Sequence, residues 1–459
     1  MITPSHTAGK TYAVLGLGKS GVASALALQA AGATVLAWDD MAASRAAAEA
    51  IGITLHDLHK ADWRNITALV MSPGIPHTYP SPHPVAAMAK TAGVTLTSDI
   101  QLLFDSQPQA TFIGITGTNG KSTTTALIAH ILQAAGKNVA VGGNLGTPVL
   151  SFPPLGTGGI YVLELSSYQL ELIQTNPLAV AVLLNITPDH LDRHGGMAGY
   201  IAAKRRIVRQ DGKQVFVCGV DDPDSLVLAK EAAALPHIIV QRISQRTDAD
   251  VTTHDWQLVA AGVSVLPLAE VPRLPGLHNA QNMAAAYAAC LALGLERETI
   301  TSAIRTFPGL AHRQQWVGQT GKVQFINDSK ATNADATSKA LACYDTIYWI
   351  LGGKPKEGGL SGLEEYMPRI RHAFLIGQAA EAFADWLARH SVAYTHCGTL
   401  DKAVQAATAM ATQDGMTATV LLSPACASFD QFKNFEERGE QFSTLAKAAL
   451  SPAFKAENQ

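Results

Sequence analysis

Residues 112–132, FIGITGTNGKSTTTALIAHIL, combine a glycine-rich loop with a lysine and a serine at the start of an apolar helix pattern. Glycines let the backbone approach a phosphate, and a helix start supplies free N–H groups and a favourable dipole. Lys121 would neutralise the β and γ phosphates of a nucleotide, and the Ser122 hydroxyl would coordinate magnesium. The usual phosphate loop has a glycine where Ile115 stands, but Gly117 can supply the unusual backbone angles from inside this loop. The nucleotide-binding residues predicted here are Gly117, Thr118, Asn119, Gly120, Lys121, Ser122 and Thr123.

A second glycine-rich stretch, Gly16-Leu17-Gly18-Lys19-Ser20-Gly21, matches the fingerprint of dinucleotide-binding loops. Asp39 ends the next apolar strand, at about the spacing expected for a ribose contact. The pattern predicts a nucleotide or diphosphate site without specifying which nucleotide. A nicotinamide-dependent oxidoreductase is therefore one interpretation of this stretch.

Carboxylates and histidines follow two further strand patterns. Glu164 ends IYVLEL, and the loop NITPDHLDRHG carries Asp189, His190, Asp192 and His194. Open α/β sheets place their sites where parallel strands end. Magnesium takes oxygen ligands, so Glu164 is a natural ligand. We interpret Asp189 and Asp192 as structural or capping residues, while His190 is equally well a site residue or a residue of a solvated turn.

Three α/β units position these residues. The chain has 459 residues, enough for roughly two to four domains, and 47% of them are hydrophobic. The first unit reads strand, helix, strand from TYAVLGLG to ATVLAWDD, with further strands in ITALVMSPGI and GVTLTSD. After a polar linker at residues 105–110, the second contains TFIGITG, GGIYVLEL and LAVAVLLNIT, whose continuous apolar runs indicate parallel strands buried on both faces. The third contains VQFINDS, TIYWILGG, HAFLIG and TATVLLSPA.

Charge and composition exclude several classes of protein. A net charge of −3, with Lys and Arg spread along the chain, argues against a nucleic-acid partner. The polar amino terminus and the lack of any apolar run of about 18 residues predict a soluble protein that is not exported. Scattered cysteines without metal or redox spacing favour a reduced cytoplasm. They are Cys218, Cys290, Cys343, Cys397 and Cys426.

Seven sequence blocks together resemble one known family. They are GTNGKST, LELSSYQL, NITPDHLDRH, GLHNAQN, HRQQWV, NDSKATN and LLSPACASFDQFKNFEERGEQF. Their order resembles that of the Mur ligases of peptidoglycan synthesis, over nearly the whole chain. The earlier blocks are shared with the wider superfamily, including folylpolyglutamate synthetases, whereas the last block is similar to the members that add D-glutamate.

The resemblance implies three domains and one reaction. A Rossmann-like domain for a UDP-sugar would span residues 1–107, a central P-loop ATPase domain 108–308, and a Rossmann-like amino-acid domain 309–459. The implied enzyme is a cytoplasmic, monomeric, ATP-dependent amide-forming ligase of cell wall biogenesis, and so of cell shape and division. ATP and Mg²⁺ would be its cofactors, and UDP-N-acetylmuramoyl-L-alanine and D-glutamate its small-molecule substrates. No nucleic acid or membrane partner is implied.

The resemblance also implies individual roles. The catalytic residues would be Lys121, His190, Lys204 and Lys330. The magnesium ligands would be Ser122, Glu164, His190 and Lys204, the last as a carbamate. Further nucleotide contacts would be Asn279, Asn282, Arg313 and Asp328. The UDP-sugar would contact Gly18, Lys19, Ser20, Asp39, Gly74, Asn144, Ser166 and Gln169. D-glutamate would contact Lys330, Thr332, Lys356, Ser428, Phe429 and Phe435.

Some alternatives remain open at the level of sequence. Lys204 also fits an ordinary lysine on a helix surface, and Lys354 is a rival for the role of Lys356. Asp40 and Met41 follow Asp39 where a Thr-Arg pair is familiar, which leaves the uracil contacts undetermined. The rival functions are a neighbouring ligase that adds L-alanine or a diamino acid, a glutamate-adding folate enzyme, and the oxidoreductase.

Overall fold

A computed structural model describes residues 1–356 and 358–450, whose strands form three separate β-sheets. This arrangement confirms the predicted α/β fold class. The chain separates into two compact units. The first contains Met1–Val271 and Asn279–Thr306, and the second contains Pro272–His278 and the chain from Phe307 onward. The predicted limits of three domains stay predictions.

The strands follow one another along the chain in three groups. They are β1 (Thr11–Leu15), β2 (Thr34–Trp38), β3 (Ala68–Met71), β4 (Thr95–Thr97), β5 (Thr111–Thr116), β6 (Val139–Gly143), β7 (Ile160–Glu164), β8 (Leu178–Leu183), β9 (Gln214–Gly219), β10 (Ile238–Ser244), β11 (Val251–His254), β12 (Gln257–Ala260), β13 (Val263–Pro267), β14 (Gln315–Thr320), β15 (Val323–Asn327), β16 (Ile347–Gly352), β17 (Ile370–Ile376), β18 (Tyr394–Gly398) and β19 (Ala418–Leu422).

Helices connect most of these strands. They are α1 (Lys19–Ala30), α2 (Ala42–Ala50), α3 (Pro84–Thr91), α4 (Asp99–Ser106), α5 (Lys121–Ala134), α6 (Ser167–Glu171), α7 (Leu191–His194), α8 (Met197–Arg205), α9 (Pro223–Ala233), α10 (Leu277–Ala292), α11 (Arg297–Arg305), α12 (Ala334–Leu341), α13 (Ala380–Arg389), α14 (Leu400–Asp414) and α15 (Phe435–Ala449). Short 3₁₀ helices lie at Ser5–Thr7, Leu58–Lys60, Trp63–Asn65, Val149–Ser151, Leu268–Glu270 and Glu364–Arg369. No helix among the described residues is long and apolar enough to cross a membrane.

The first sheet has the strand order β2-β1-β3-β4, and all of its pairs are parallel. The four strands predicted for the first unit are therefore confirmed. Strand β1 runs directly into the Gly16–Gly21 stretch, and α1 begins at Lys19 within it. The strand, glycine loop and helix start thus occur as the sequence predicts.

The central sheet has the order β13-β12-β11-β10-β9-β8-β5-β7-β6. The three strands predicted for the second unit are confirmed as β5, β7 and β8, which lie side by side and parallel. The antiparallel edge formed by β11, β12 and β13 was not predicted from the sequence. Its first hairpin turns at Asp255 and Trp256, whose φ angles are 47° and 59°. Such turns usually carry Asn-Gly or Asp-Gly, so Asp-Trp gives little sequence signal.

The third sheet has the order β14-β15-β19-β16-β17-β18, with only the β14–β15 pair antiparallel. The four strands predicted for the third unit are confirmed as β15, β16, β17 and β19. Alternate residues of β16 pack on opposite faces: Trp349 and Leu351 join one apolar cluster, while Tyr348 and Ile350 join another. Helices cover both faces, which explains why this strand reads as an unbroken apolar run.

Candidate active site

The phosphate loop joins β5 to α5 at the carboxyl end of the central sheet. Gly117 and Gly120 have φ angles of 154° and 86°, which an L side chain rarely adopts. The Lys121 Nζ atom donates hydrogen bonds to the carbonyl oxygens of Gly117 at 2.9 Å and Thr118 at 2.8 Å. The lysine therefore lies back across its own loop. Gly117 takes the strained conformation, so a glycine at Ile115 is unnecessary.

Neighbouring loops of the central sheet hold the phosphate loop in shape. The Asn119 N–H donates to Asn185 Oδ1 at 2.9 Å, and the Thr118 hydroxyl lies 3.0 Å from the Tyr200 hydroxyl. Thr118 also accepts a hydrogen bond from the Thr187 N–H at 2.9 Å. Two segments that are distant from the loop in sequence, the loop after β8 and helix α8, thus fix its shape. Ser122 and Thr123 are buried in the first turn of α5, where the helix begins.

Glu164 stands beside the phosphate loop because β7 pairs with β5, with Glu164 opposite Ile115. Its side chain is buried, and Asn144 Nδ2 donates to Glu164 Oε1 at 2.8 Å. The other oxygen, Oε2, is buried without a hydrogen-bond partner among the described residues. An unpartnered buried carboxylate oxygen is costly unless a ligand satisfies it, and a magnesium ion suits this oxygen.

Lys204 lies on the buried face of α8 and is only 1% exposed. The reading of this residue as a surface lysine is therefore wrong. Its Nζ lies 3.4 Å from Thr116 Oγ1, at the end of the phosphate-loop strand, and 4.7 Å from the centre of the Tyr200 ring. Burial, together with the charge of Lys121, holds the pKa of Lys204 well below its usual value. The amine is thus biased toward its neutral form.

His190 is half exposed, in contrast to Lys204. It precedes α7 with a φ angle of 52°, and its Nε2 lies 3.5 Å from Asp189 Oδ2. Its ring lies 5.2 Å from the ring of Tyr168. Asp192 occupies the first turn of α7, but no side chain caps that helix. Within the described ranges, no three His, Cys, Asp or Glu side chains lie together as a ready-made metal site.

Asn279 and Asn282, predicted to contact the nucleotide, lie on α10 behind the phosphate loop. Asn282 Oδ1 accepts from the Thr124 hydroxyl at 3.1 Å, and Asn282 Nδ2 donates to Asn279 Oδ1 at 3.0 Å. A Cβ atom on Gly120 would lie 2.3 Å from Asn282 Oδ1. The asparagine pair therefore packs against the loop, which explains why position 120 must be a glycine. Contact of either residue with a nucleotide stays a prediction.

Ser166 and Gln169 form the capping box that starts α6. The Gln169 N–H donates to Ser166 Oγ at 3.2 Å, and the Ser166 N–H donates to Gln169 Oε1 at 3.0 Å. The pair fixes the direction in which the chain leaves β7 after Glu164. Contact of Ser166 or Gln169 with the substrate stays a prediction, and the capping contacts are compatible with it.

The N-terminal glycine loop is organised by Asp39. The Asp39 carboxylate accepts hydrogen bonds from the N–H groups of Leu17 at 2.7 Å and Met41 at 2.8 Å. Gly21 cannot be replaced, because a Cβ atom there would lie 1.7 Å from the Gly16 carbonyl oxygen. Gly18 and Lys19 are exposed at the start of α1, as a site for an external anion requires.

The turn from Ser72 to Ile75 forms a second side of this loop. The Ser72 hydroxyl donates to the Gly16 carbonyl at 3.1 Å, and Gly74 is exposed. Asp99, which the sequence analysis did not single out, is buried at the start of α4 near the Ser20 hydroxyl. Burial raises the pKa of Asp99 to about 6, while the hydrogen bond that its Oδ1 accepts from the Ile100 N–H at 3.0 Å opposes that shift.

The second unit carries its own cluster around Asp328, at the carboxyl end of β15. Asp328 Oδ2 accepts from the Ser423 hydroxyl at 2.8 Å, and Oδ1 accepts from the Gln314 N–H at 3.1 Å. Burial raises the pKa of Asp328 to about 7, although these bonds and the charge of Arg313 lower it. Arg313 Nε is buried without a hydrogen-bond partner among the described residues, so the guanidinium retains capacity for a ligand.

The residues predicted for D-glutamate lie on neighbouring loops of the third sheet. Lys330 Nζ lies 5.3 Å from the centre of the Phe435 ring, and Lys356 Nζ lies 3.4 Å from Thr332 Oγ1. Ser428 is buried, and its carbonyl accepts from the Phe432 N–H at 2.9 Å. The structure thus brings Lys330 to Phe435 and Lys356 to Thr332.

Two other residues near these loops need separate comment. Phe429 was also predicted to contact D-glutamate, but its side chain is 68% exposed. Arg438, which the sequence analysis missed, is buried beside these loops and donates to the carbonyl oxygens of Ser329 at 2.9 Å and Cys426 at 3.1 Å. Burial lowers its pKa to about 10. An arginine in the acidic run FEERGE looks like a surface residue, so the sequence carried no signal for its burial.

Comparisons with known protein families agree along the chain. A family described as "Mur ligase middle domain" matches residues 115–290, and one described as "Mur ligase, glutamate ligase domain" matches residues 312–426. The UDP-N-acetylmuramoylalanine--D-glutamate ligase of Paramagnetospirillum magneticum is 51% identical over 458 residues, which are 98% of each chain. The protein of the same name from Rhodospirillum rubrum is 52% identical over 451 residues, covering 95% of this chain and 94% of its own.

Solved structures give the same fold at low identity. The UDP-N-acetylmuramate-alanine ligase of Thermotoga maritima matches with a TM-score of 0.60 at 16% identity, covering 96% of this chain and 99% of that chain. The UDP-N-acetylmuramoylalanyl-D-glutamyl-2,6-diaminopimelate--D-alanyl-D-alanyl ligase of Acinetobacter baumannii gives a TM-score of 0.56 at 20% identity, with 76% and 78% covered. At such identities the likeness concerns the fold alone.

Proposed function

This chain belongs to the Mur ligase family, and we propose that within it the chain joins D-glutamate to UDP-N-acetylmuramoyl-L-alanine at the expense of ATP. The family predicted from the sequence blocks is confirmed. The relatives that share 51% and 52% of its residues carry D-glutamate ligase in their names. The chain is accordingly an ATP-dependent ligase of peptidoglycan precursor synthesis, and we place the reaction in the cytoplasm.

The chemistry requires an activated carboxylate. ATP transfers its γ phosphoryl group to the carboxylate of UDP-N-acetylmuramoyl-L-alanine, which gives an acyl phosphate and ADP. The amine of D-glutamate then attacks the acyl carbon, and inorganic phosphate leaves as the amide forms. Positioning and charge neutralisation dominate phosphoryl transfer. Lys121, lying across the phosphate loop, would supply the fixed cation for the β and γ phosphates.

One observation carries this proposal furthest: the unpartnered Oε2 atom of Glu164 beside the phosphate loop. Ser122 and Glu164 would hold a magnesium ion there, which when bound would neutralise the phosphate charges. Asn144 fixes the Glu164 carboxylate through Oε1 and leaves Oε2 available. His190, half exposed on the neighbouring loop, would be a ligand of a second ion.

Lys204 would serve that second ion as a carbamate. A protonated amine would repel magnesium, whereas a carbamate is an anion with two oxygen ligands. Formation needs the neutral amine, which adds to carbon dioxide and releases a proton. Burial of Lys204 favours that neutral form. Its Nζ lies next to Thr116, at the end of the strand that leads into the phosphate loop.

The second unit would bind the incoming amino acid. D-glutamate carries two carboxylates, and Lys330 and Lys356 provide cations on neighbouring loops, with Thr332 and Ser428 as hydroxyl donors. Lys356 rather than Lys354 is favoured by its contact with Thr332. Arg313 and Asp328 would contact ATP, as a forked donor and a buried acceptor respectively.

Release of phosphate with a panel of amino acids tests the proposal. With ATP, magnesium and UDP-N-acetylmuramoyl-L-alanine present, D-glutamate should support turnover, whereas L-glutamate, L-alanine and meso-diaminopimelate should not. Lys121→Ala serves as the blank for contaminating ATPases. Faster turnover with another amino acid would assign the chain to a neighbouring ligase. Binding of a nicotinamide dinucleotide in place of the UDP-sugar would favour the oxidoreductase, which rests on Gly16–Gly21 alone.

A further inference from the structure

A buried ionic cluster joins the segment after β3 to the loops after β7 and β8. We call it the Glu171 cluster, and its members are His77, Glu171, Arg193 and His194. Glu171 Oε1 lies 2.8 Å from His194 Nδ1, and Glu171 Oε2 lies 3.7 Å from His77 Nε2 and 3.9 Å from Arg193 Nη1. None of these residues belongs to the site described above.

Arg193 is the member of the cluster with the most unused hydrogen-bond donors. It is only 8% exposed, and its Nε and Nη1 atoms are buried without hydrogen-bond partners among the described residues. Its Nη2 donates to the Ile75 carbonyl at 2.9 Å. A buried guanidinium that makes so few bonds is costly, so a purely stabilising role accounts poorly for it.

On one side, Arg193 reaches the N-terminal glycine loop through Ile75. The Ile75 N–H closes the turn by donating to the Ser72 carbonyl at 3.0 Å, and the Ser72 hydroxyl donates to the Gly16 carbonyl. A Cβ atom on Gly16 would lie 2.8 Å from the Ile75 side chain. The guanidinium therefore holds the turn that packs directly on the loop predicted to receive the diphosphate.

On the other side, Arg193 reaches the loop of His190 and helix α6, which carries the predicted substrate contact Gln169. Arg193 lies in α7, the helix that begins immediately after His190. Its guanidinium lies 5.0 Å from the centre of the Tyr168 ring. The same ring lies 5.2 Å from that of His190, and Tyr168 precedes Gln169 in α6. Tyr79 adds a parallel contact, since its ring fills the space that a Cβ atom on Gly195 would need.

We propose that Arg193 is a positioning residue that ties the Ser72–Ile75 turn to the His190 loop, so that binding of the UDP moiety orders the loop at the reacting carboxylate. The inference rests on the proposed function for the identity of the substrate. The unpartnered Nε and Nη1 atoms of Arg193 allow the cluster to tighten when the turn closes on the diphosphate. Arg193 thus strengthens binding of the UDP-substrate without contacting the substrate itself.

Two ligands titrated separately into the full chain test the inference. Arg193→Lys keeps a cation but cannot hold Ile75 and Glu171 through one planar fork. Its dissociation constants for UDP and for UDP-N-acetylmuramoyl-L-alanine should rise by about threefold to thirtyfold. The dissociation constant of a non-hydrolysable ATP analogue should stay within twofold. In turnover, the Michaelis constant of the UDP-substrate should rise more than kcat falls.

A matched control separates positioning from general loosening. Gln174 ties the same two sheets elsewhere, since its Nε2 donates to the Leu96 carbonyl at 2.8 Å. Gln174→Ala should lower the thermal midpoint without weakening UDP binding. Arg193→Met alone would remove the arginine next to Glu171 Oε2, so it is combined with Glu171→Gln, which also removes the charge of the carboxylate. The double variant should also bind UDP more weakly.

The outcomes are distinct. Selective weakening of the UDP ligands in both Arg193 variants supports the inference. Equal weakening of the ATP analogue, an equal effect of Gln174→Ala on UDP binding, or unchanged UDP binding would overturn it. Failure of the unsubstituted protein to bind UDP-N-acetylmuramoyl-L-alanine would overturn the proposed function instead, and the UDP titrations would still decide the role of Arg193.

Discussion

The two glycine loops of the first unit share a strand, a turn and a helix start, yet their surroundings differ. The N-terminal loop is shaped by one carboxylate, Asp39, and presents Lys19 at the surface. The phosphate loop is braced by Asn185 and Tyr200, and two buried ionisable groups, Glu164 and Lys204, lie beside it. A loop that only holds an anion needs backbone and an exposed cation, whereas a loop that supports chemistry also needs desolvated charges.

The largest expected effect comes from removing the fixed cation of the phosphate loop. Lys121→Ala should lower kcat by on the order of 10³-fold, because charge that develops on the transferred phosphoryl group loses its partner. Amide formation measured at saturating ATP and magnesium checks this. Normal turnover of the variant would show that the phosphate loop does not support the chemical step, which is the role that distinguishes it from the N-terminal loop.

Lys204 tests whether buried charge beside the phosphate loop acts in the reaction. Lys204→Ala should be nearly inactive and partly rescued by acetate, which can occupy the position of the carbamate. Arg205→Ala, at the exposed neighbour that pairs with Glu231 at 3.2 Å, is the matched control and should remain active. Full activity of Lys204→Ala, or an unmodified amine in a magnesium-bound crystal structure, would refute the carbamate.

A variant outside both loops tests whether the amino acid is bound by the second unit. Ser428→Ala should weaken D-glutamate by on the order of tenfold to a hundredfold, as expected for a lost hydrogen bond to a charged group. The Michaelis constant of ATP should change little. Unchanged D-glutamate kinetics would mean that the segment around Ser428 only packs the third sheet.

The N-terminal loop should respond more mildly than the phosphate loop. Lys19→Ala should raise the Michaelis constant of the UDP-substrate by roughly tenfold while kcat stays the same, because an exposed cation contributes to binding but not to the chemical step. Initial rates at varied UDP-substrate check this prediction. A fall in kcat comparable to that of Lys121→Ala would contradict it.

The smallest effect concerns Asp99, beneath the N-terminal loop. Burial raises its pKa to about 6, so the folded chain binds this proton more tightly than the unfolded chain. Protonated Asp99 therefore stabilises the folded chain fully at a pH below the ordinary pKa of an aspartate, and this stabilisation is lost as the pH rises through about 6. Asp99→Asn, neutral at every pH, should therefore gain in thermal midpoint relative to the unsubstituted chain at pH 8 but not at pH 4. An equal difference at both pH values would contradict this account.

The sequence predicted strands best where a strand is buried on both faces and its residues are therefore all apolar. Parallel strands such as β5, β7 and β16 are buried on both faces, so their apolar runs predicted them correctly. The polar edge strand β18 and the hairpins of β11–β13 lack that signal, because exposure on one side permits polar residues. The position of Glu164 at a strand end was predictable, but its unpartnered oxygen depends on where Asn144 points.

Helix periodicity bears on one open alternative. Tyr200, Ala203 and Lys204 have the spacing of a single helix face, and all three are buried. The spacing therefore placed Lys204 on the face of Tyr200 and Ala203, and the structure shows that this face is the buried one. The Glu171 cluster and Arg438 could not have been found in this way, because their partners lie on segments far apart in the chain.

Binding of both ligands to both loop variants tests the central claim most directly. Calorimetric titration of Lys19→Ala should show weakened UDP-N-acetylmuramoyl-L-alanine and unchanged ATP analogue. Titration of Lys121→Ala should show the reverse, with the ATP analogue weakened and the UDP-substrate unchanged. If both variants lost the same ligand, or if Lys121→Ala lost only the UDP-substrate, the assignment of one loop to each phosphate-bearing substrate would be wrong.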